Sequence, residues 1–288
     1  MSIRLKNLFG LSALLLAILV ATSSIQAQQI VSDNKIESNP AAENGGKSLK
    51  KNAKADAAAS PAATSGYNWA GFYVGGHGGY GWGKADTDVN PLPSAATFVN
   101  LAPTTIGLSP KGFNGGVQAG YNWQFGNMVV GGETDMSWSD MRDTVTVSPI
   151  IQNNGTPFPG GSVSVAQKTK WFGSLRPRIG VAAGRFLIYG TAGLAYGRVK
   201  NQGNTDFRPF GTVQYAVNSS KTTAGWTAGG GVEIGVTRHI SVKSEYLYYD
   251  LGKISAIGNP SPALPPFQVG YTWEAKAHTW NSGINFRF

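Results

Sequence analysis

The chain has 288 residues, of which 41% are hydrophobic and only 14% charged, no cysteine, and a formal net charge of +9. The missing thiols exclude disulfides, thiolate catalysis and cysteine-ligated metals. The basic surplus is scattered, with Lys47 to Lys54 its one cluster. That speaks against nucleic acid as a partner and leaves affinity for anionic lipid or saccharide open.

In chain order, the first feature is an apolar run from Leu8 to Ala21 behind Arg4 and Lys6. It is too short to span a bilayer and has the charge and length of a secretory leader. Small and polar residues at Ser23 to Ala27 place cleavage after Ala27, so residues 1–27 are expected to be a signal peptide. Residues 28–65 are rich in Ala, Asn, Ser and Lys and carry almost no large apolar side chains. Such a segment cannot bury enough surface to offset its ordering entropy. It is expected to be a disordered periplasmic linker, the alternative being an interaction arm through Lys47, Lys50, Lys51 and Lys54.

From residue 66 to 288 a period-two alternation recurs, the signature of strands with one oily and one polar face. Eight strands are predicted. The first, Ala70 to Trp82, sets Phe72, Val74, Tyr80 and Trp82 against Tyr73 and His77. The second is Gly112 to Phe125 and the third Met128 to Trp138, where Glu133 and Asp135 oppose Val130, Met136 and Trp138. The fourth, Thr169 to Ala182, sets Arg176 and Arg178 against Trp171, Leu175 and Ile179. The fifth is Arg185 to Val199. The sixth, Thr222 to Val236, places Glu233 opposite Trp226, and the seventh, Ile240 to Leu251, places Lys243 and Glu245 opposite Tyr246. The last, Glu274 to Phe288, alternates Trp280, Ile284, Phe286 and Phe288 with Asn281, Asn285 and Arg287.

Connections alternate between tight turns (Gly126-Asn127, Ala183-Gly184, Arg238-His239) and long stretches at Gly83 to Lys111, Ser139 to Lys168, Lys200 to Lys221 and Gly252 to Trp273. An even strand count with short turns at one end and four long loops at the other fits a bacterial transmembrane barrel. Loops of that length are uncommon in compact soluble β-domains. With strands running alternately up and down, Tyr80, Trp82, Trp138, Trp171, Trp226, Tyr246 and Trp280 gather at the upper end. Trp69, Phe72, Tyr121, Trp123, Phe186, Phe286 and Phe288 gather at the lower one. Two aromatic belts flanking an apolar band are the girdles of a membrane-spanning wall. The fold class is therefore all-β: an eight-stranded antiparallel up-and-down transmembrane β-barrel, preceded by a signal peptide and a disordered linker.

The segment Gly66 to Gly83 (GYNWAGFYVGGHGGYGWG), the run Gly115 to Trp123 (GGVQAGYNW) and the ending Gly283 to Phe288 (GINFRF) resemble the small outer-membrane immunogenic proteins of alphaproteobacteria, the RopB-type porin-like family. The resemblance implies an abundant outer-membrane barrel of structural or surface-antigen type. Some members bind hemin. It also implies that the barrel assembly machinery reads the terminal strand, with Phe288 as its signal.

No enzyme chemistry emerges. Gly76 to Gly81 satisfies G-x-G-x-x-G, but it lies within an amphipathic strand, with no helix to receive a pyrophosphate. His77, His239 and His278 fall in lumen, lower turn and upper rim, without metal-ligand spacing. No catalytic, cofactor-binding or metal residue is assigned. Inward charges number four of each sign: Glu133, Asp135, Glu233 and Glu245 against Arg176, Arg178, Lys243 and Arg287. The interior of an eight-stranded barrel is only wide enough to be filled by side chains. Isolated buried ions are costly, so these charges are expected to pair as a polar plug. The expected function is a non-enzymatic structural or surface-antigen role, with a narrow porin or a surface receptor for hemin or a host ligand as alternatives. Expected partners are outer-membrane lipid and lipopolysaccharide and the assembly machinery, with no nucleic acid.

Overall fold

The computed structural model describes residues 67–92, 102, 104–207, 213–261 and 268–288; the expected leader and linker lie outside them. Its strands, in chain order, are β1 (Gly71–Gly83), β2 (Ala85–Leu92), β3 (Thr104–Leu108), β4 (Lys111–Phe125), β5 (Met128–Ser139), β6 (Arg142–Val147) and β7 (Ile150–Ile151). They continue with β8 (Pro157–Phe158), β9 (Ser162–Ala183), β10 (Phe186–Asp206), β11 (Gln214–Gly235), β12 (Ile240–Ser261) and β13 (Gln268–Arg287).

Eight of these form the barrel in the order β1-β4-β5-β9-β10-β11-β12-β13, and β13 returns to pair with β1. Every pairing in this ring is antiparallel. Closure leaves no lipid-facing edge of unpaired backbone groups, the condition for a sheet to cross a membrane. Alternation sorts the side chains. Val117, Leu175, Ile179, Ile188 and Leu194 are exposed on the outer wall, while Glu133, Arg176 and Lys243 are buried within. From Phe72 to Trp82, about ten steps of ~3.3 Å along a strand tilted by roughly 40° rise about 25 Å, the height of an outer-membrane apolar band.

The predicted strand set stands, but the upper ends do not stop where composition suggested. β9 begins seven residues earlier than expected, at Ser162, and β10 runs on to Asp206. β11 and β13 likewise start at Gln214 and Gln268, and β12 continues to Ser261. The stretches expected as loops are thus largely strand. β2 adds to the upper half of β13, β3 pairs with β2, and β6 bridges β4 and β9. The reason is a second apolar interior. Ala85, Val89, Ile106, Leu108, Val163, Val165, Tyr215, Val269, Tyr271 and Trp273 are all buried in one cluster at this end. The prolines do not end the sheet: Pro157 lies in the separate β7–β8 pair, while Pro91 of β2 is the cross-strand partner of Val269 and Pro260 of β12 that of Tyr215.

At the lower end Gly126 and Asn127 form the β4–β5 turn as expected, with Gly126 at φ 61°. The β9–β10 turn is Gly184-Arg185, one residue on from the expected pair, because the left-handed φ of 58° falls on Gly184. The β11–β12 connection spans Val236 to His239 rather than two residues. It is held by Thr237, whose hydroxyl accepts from the His239 and Ile240 amides.

Candidate functional site: the lumen and its rims

The alternation that turns Val130 and Met136 to the outside turns Glu133 and Asp135 of β5 inward, and the same holds for Arg176 and Arg178 of β9. Cross-strand register sets Glu133 directly opposite Arg176. Glu233 of β11 and Lys243 of β12 are likewise partners. All eight predicted inward charges are buried.

The structure brings them into one network. Lys243 Nζ donates to Glu133 Oε1 at 2.8 Å, and Arg176 Nη2 reaches the same oxygen at 2.9 Å. Arg176 also donates to Asp135 at 3.1 Å and to Glu245 at 3.2 Å. Arg178 donates to Glu233 at 2.9 Å and stands 3.5 Å from Glu133. Arg287 lies at the edge, 3.6 Å from Glu233, and donates to the Asn68 carbonyl.

Polar neighbours outside the sequence assignment extend the network, although Arg176 Nε and Nη1 and Arg178 Nε find no hydrogen-bond partner among the described residues. The Tyr73 hydroxyl accepts from Arg178 and donates to Glu133, both at 2.8 Å. The Tyr189 hydroxyl donates to Glu245 at 3.0 Å, and its ring lies 4.0 Å from the Arg178 guanidinium. Ser174 donates to Asp135, while Ser241 and Asn285 donate to Glu233. The parity of each strand marks these residues as inward. What it cannot supply is the contact between β1, β10 and β12 across the lumen.

Apolar layers lie on both sides of the charges. Below are Trp69, Val129, Ala182, Leu187 and Tyr189. Trp69 departs from expectation. Placed by sequence in the lower outer belt, it is fully buried inside, 4.8 Å from the Arg287 guanidinium. The residue precedes β1, so strand parity does not govern it; its amide donates to the Gln124 side chain and draws it under the barrel. Above the charges, Leu247, Tyr249 and Leu251 of β12 meet Met141, Phe172, Ala195, Val199, Ile254 and Ala275.

Little space is left. Among His77, Asp135, Arg176, Lys243, Glu245 and Leu247 no water-sized volume remains. In the layer above, a gap of about 20 Å³ against Phe172, Tyr249 and Leu251 is room for about one water.

On the outer wall, Trp138, Trp226, Tyr246 and Trp280 are exposed, and Tyr80, Trp82 and Trp171 half-exposed. Tyr80 and Tyr246 both oppose Trp280, and Trp138 opposes Trp171, so the predicted upper girdle lies in cross-strand rows. His278 joins it, 2.6 Å from the Tyr246 hydroxyl and stacked 5.9 Å from Trp82. His77 instead faces inward between Gln118 and Ser137, and His239 stacks on Phe286 at the lower rim. The three histidines stay apart. Phe288 ends the chain outside the wall: its amide donates to the Phe72 carbonyl at 3.0 Å and its ring lies 5.8 Å from that of Phe72.

The family model described as "Outer membrane protein beta-barrel domain" matches residues 55–288. The chain is 35% identical to the 31 kDa outer-membrane immunogenic protein of Brucella melitensis over 227 residues, covering 77% of this chain and 85% of that one. It is 35% identical to the 22 kDa outer membrane protein of Rhizobium leguminosarum bv. viciae over 183 residues, 64% of each. Among solved structures it is similar to the outer membrane protein OprG of Pseudomonas aeruginosa, at 13% identity and a TM-score of 0.47, covering 78% of this chain and 98% of that one. The chain belongs to the outer-membrane β-barrel protein family, and its location is the Gram-negative outer membrane.

Proposed function

We propose that the protein is a closed, non-enzymatic barrel whose role is structural: it braces the outer membrane and holds a tall β-built region at the cell surface as an antigen. The observation that carries this reading is the lumen. A charge network with no water-sized space among Asp135, Arg176, Lys243 and Glu245 lies between two apolar layers, so an ion would have to displace packed side chains twice. Buried charges so paired are rigid, because parting any one of them leaves an uncompensated ion. The surface-antigen part is supported by the relatives, which are named as immunogenic proteins.

Planar-bilayer recording tests the proposal. Purified protein inserted at high dilution is expected to give no steady conductance. Large, stable, ion-selective steps would overturn the closed-lumen reading and establish a narrow porin instead.

A further inference from the structure

We infer that the outer face of β4, β6, β9 and β10, just above the aromatic girdle, is a docking surface for the phosphate groups of lipopolysaccharide in the surrounding leaflet. The inference rests on the outer-membrane location and not on the closed lumen. Lys111 of β4 is the cross-strand partner of Arg142 of β6, Arg142 of Lys168 of β9, and Lys168 of Lys200 of β10. Four cations therefore stand side by side in one row across four hydrogen-bonded strands. Directly opposed residues have Cβ atoms about 4.5–5.5 Å apart, and like charges so placed repel.

The row faces outward. Val165, Gln167 and Val199, its neighbours of opposite parity, are buried inside. Arg198 adds a fifth charge on the same face of β10, its Nε donating to Ser220. None of the five has a carboxylate oxygen within 4.0 Å among the described residues.

The opposite flank is built differently. There Glu274 of β13 stands 2.9 Å from Lys276 and 3.3 Å from Lys253, so its cations are matched by the protein itself. The β4–β10 flank, among the described residues, keeps its repulsion, which an external anion would relieve. Height selects the anion. Trp171 is the cross-strand partner of both Arg198 and Trp138, and lies 6.3 Å from Tyr196. These rings mark the boundary between hydrocarbon and headgroups, so the cations sit at headgroup level. Lysine and arginine side by side suit phosphate, as point charge and as planar fork. A row flush with the wall faces a neighbouring lipid rather than a polymer arriving from solution.

The test uses the full refolded protein in detergent micelles and two variants. One carries Lys111→Gln, Arg142→Gln, Lys168→Gln and Lys200→Gln; the control carries Lys253→Gln and Lys276→Gln. Binding of purified lipopolysaccharide is followed by tryptophan fluorescence at low and high salt. Wild type and control are expected to bind alike, the fourfold variant at least tenfold more weakly, and enzymatically dephosphorylated lipopolysaccharide to bind wild type as weakly as the variant is bound. Without lipid at low salt the fourfold variant should melt above wild type, its repulsion removed, and added lipopolysaccharide should raise the melting point of wild type more than that of the variant. Equal affinity of the fourfold variant and wild type, or an equal loss in the control, overturns the inference. So does tighter binding of a soluble sulfated polysaccharide that displaces the lipid. If the fourfold variant does not refold, the Lys168→Gln/Lys200→Gln pair decides by the same criteria.

Discussion

Glu133 holds together the densest part of the molecule. Its two carboxylate oxygens meet Lys243, Arg176, Arg178 and the Tyr73 hydroxyl, joining β1, β5, β9 and β12 through a single side chain. Removing it takes one carboxylate from three buried cations at once, leaving Lys243 with Glu245 at 3.6 Å, Arg176 with Asp135 and Glu245, and Arg178 with Glu233. The cost expected for breaking such a buried pair is about 3–5 kcal/mol. Glu133→Ala should therefore unfold at clearly lower urea concentration than wild type in detergent. Adding Lys243→Met should recover part of the loss, because it removes the cation that loses its 2.8 Å partner and is left with Glu245 at 3.6 Å. Unfolding midpoints for the two variants and wild type check this; a Glu133→Ala midpoint equal to wild type would show that the network contributes nothing. By contrast, Gly79 contributes by being absent as a side chain. A Cβ there would collide with the Trp280 carbonyl of β13, so the glycine run that mimics a nucleotide fingerprint is in part a packing requirement of the seam.

At the scale of elements, what could be read from the sequence depended on which signal dominated. In the membrane band alternation is unopposed, and the parity that placed Glu133, Arg176 and Lys243 inside was sufficient. Higher up the same parity persists but is masked. Tyr271 and Trp273 alternate with Gly270, Thr272 and Glu274, and Val163 and Val165 with Ser162 and Ser164, in a context of Pro, Asn and Thr that reads as loop. Trp69 could not be placed by parity, since it precedes the first strand. Pairings across the lumen depend on barrel curvature and side-chain reach, which no local pattern encodes. The upper interior leads to a test of its own. Trp273 is fully buried, stacked 5.6 Å from Tyr271, with Ile254 and Thr87 as cross-strand partners. Trp273→Ala should cost about 3–5 kcal/mol, confined to this end of the strands. Intact cells bearing the variant should lose the upper region to added protease faster than wild type, while the membrane-embedded remainder still shifts on heating in detergent gels. Identical cleavage patterns would show that the upper cluster does not hold its strands.

For the whole molecule, the decisive contact is the closure of β1 on β13. Eleven residue pairs from Tyr73–Arg287 to Gly83–Ala277 form it, and the Phe288 amide adds one more bond to the Phe72 carbonyl. Gly71, at φ 118°, lets the chain enter beside the terminus, where a Cβ would lie 3.1 Å from the Phe288 carbonyl. Phe288 is 71% exposed, and its ring meets those of Phe72 and Phe286 among the described residues. Its backbone bond survives truncation, so Phe288→Ala removes a lipid-facing ring and little else. Surface changes of that kind usually shift stability by no more than about 0.5 kcal/mol. If the ring is the feature that the assembly machinery reads, its loss should separate two quantities that otherwise move together. Protein refolded in detergent should show the same heat-dependent gel shift and unfolding midpoint as wild type. In cells, the assembled fraction in the outer membrane should fall severalfold, with degraded or periplasmic material rising. Unchanged membrane levels would make the ring dispensable for assembly. A variant that also fails to refold in detergent would make Phe288 a structural residue of the seam and not a signal.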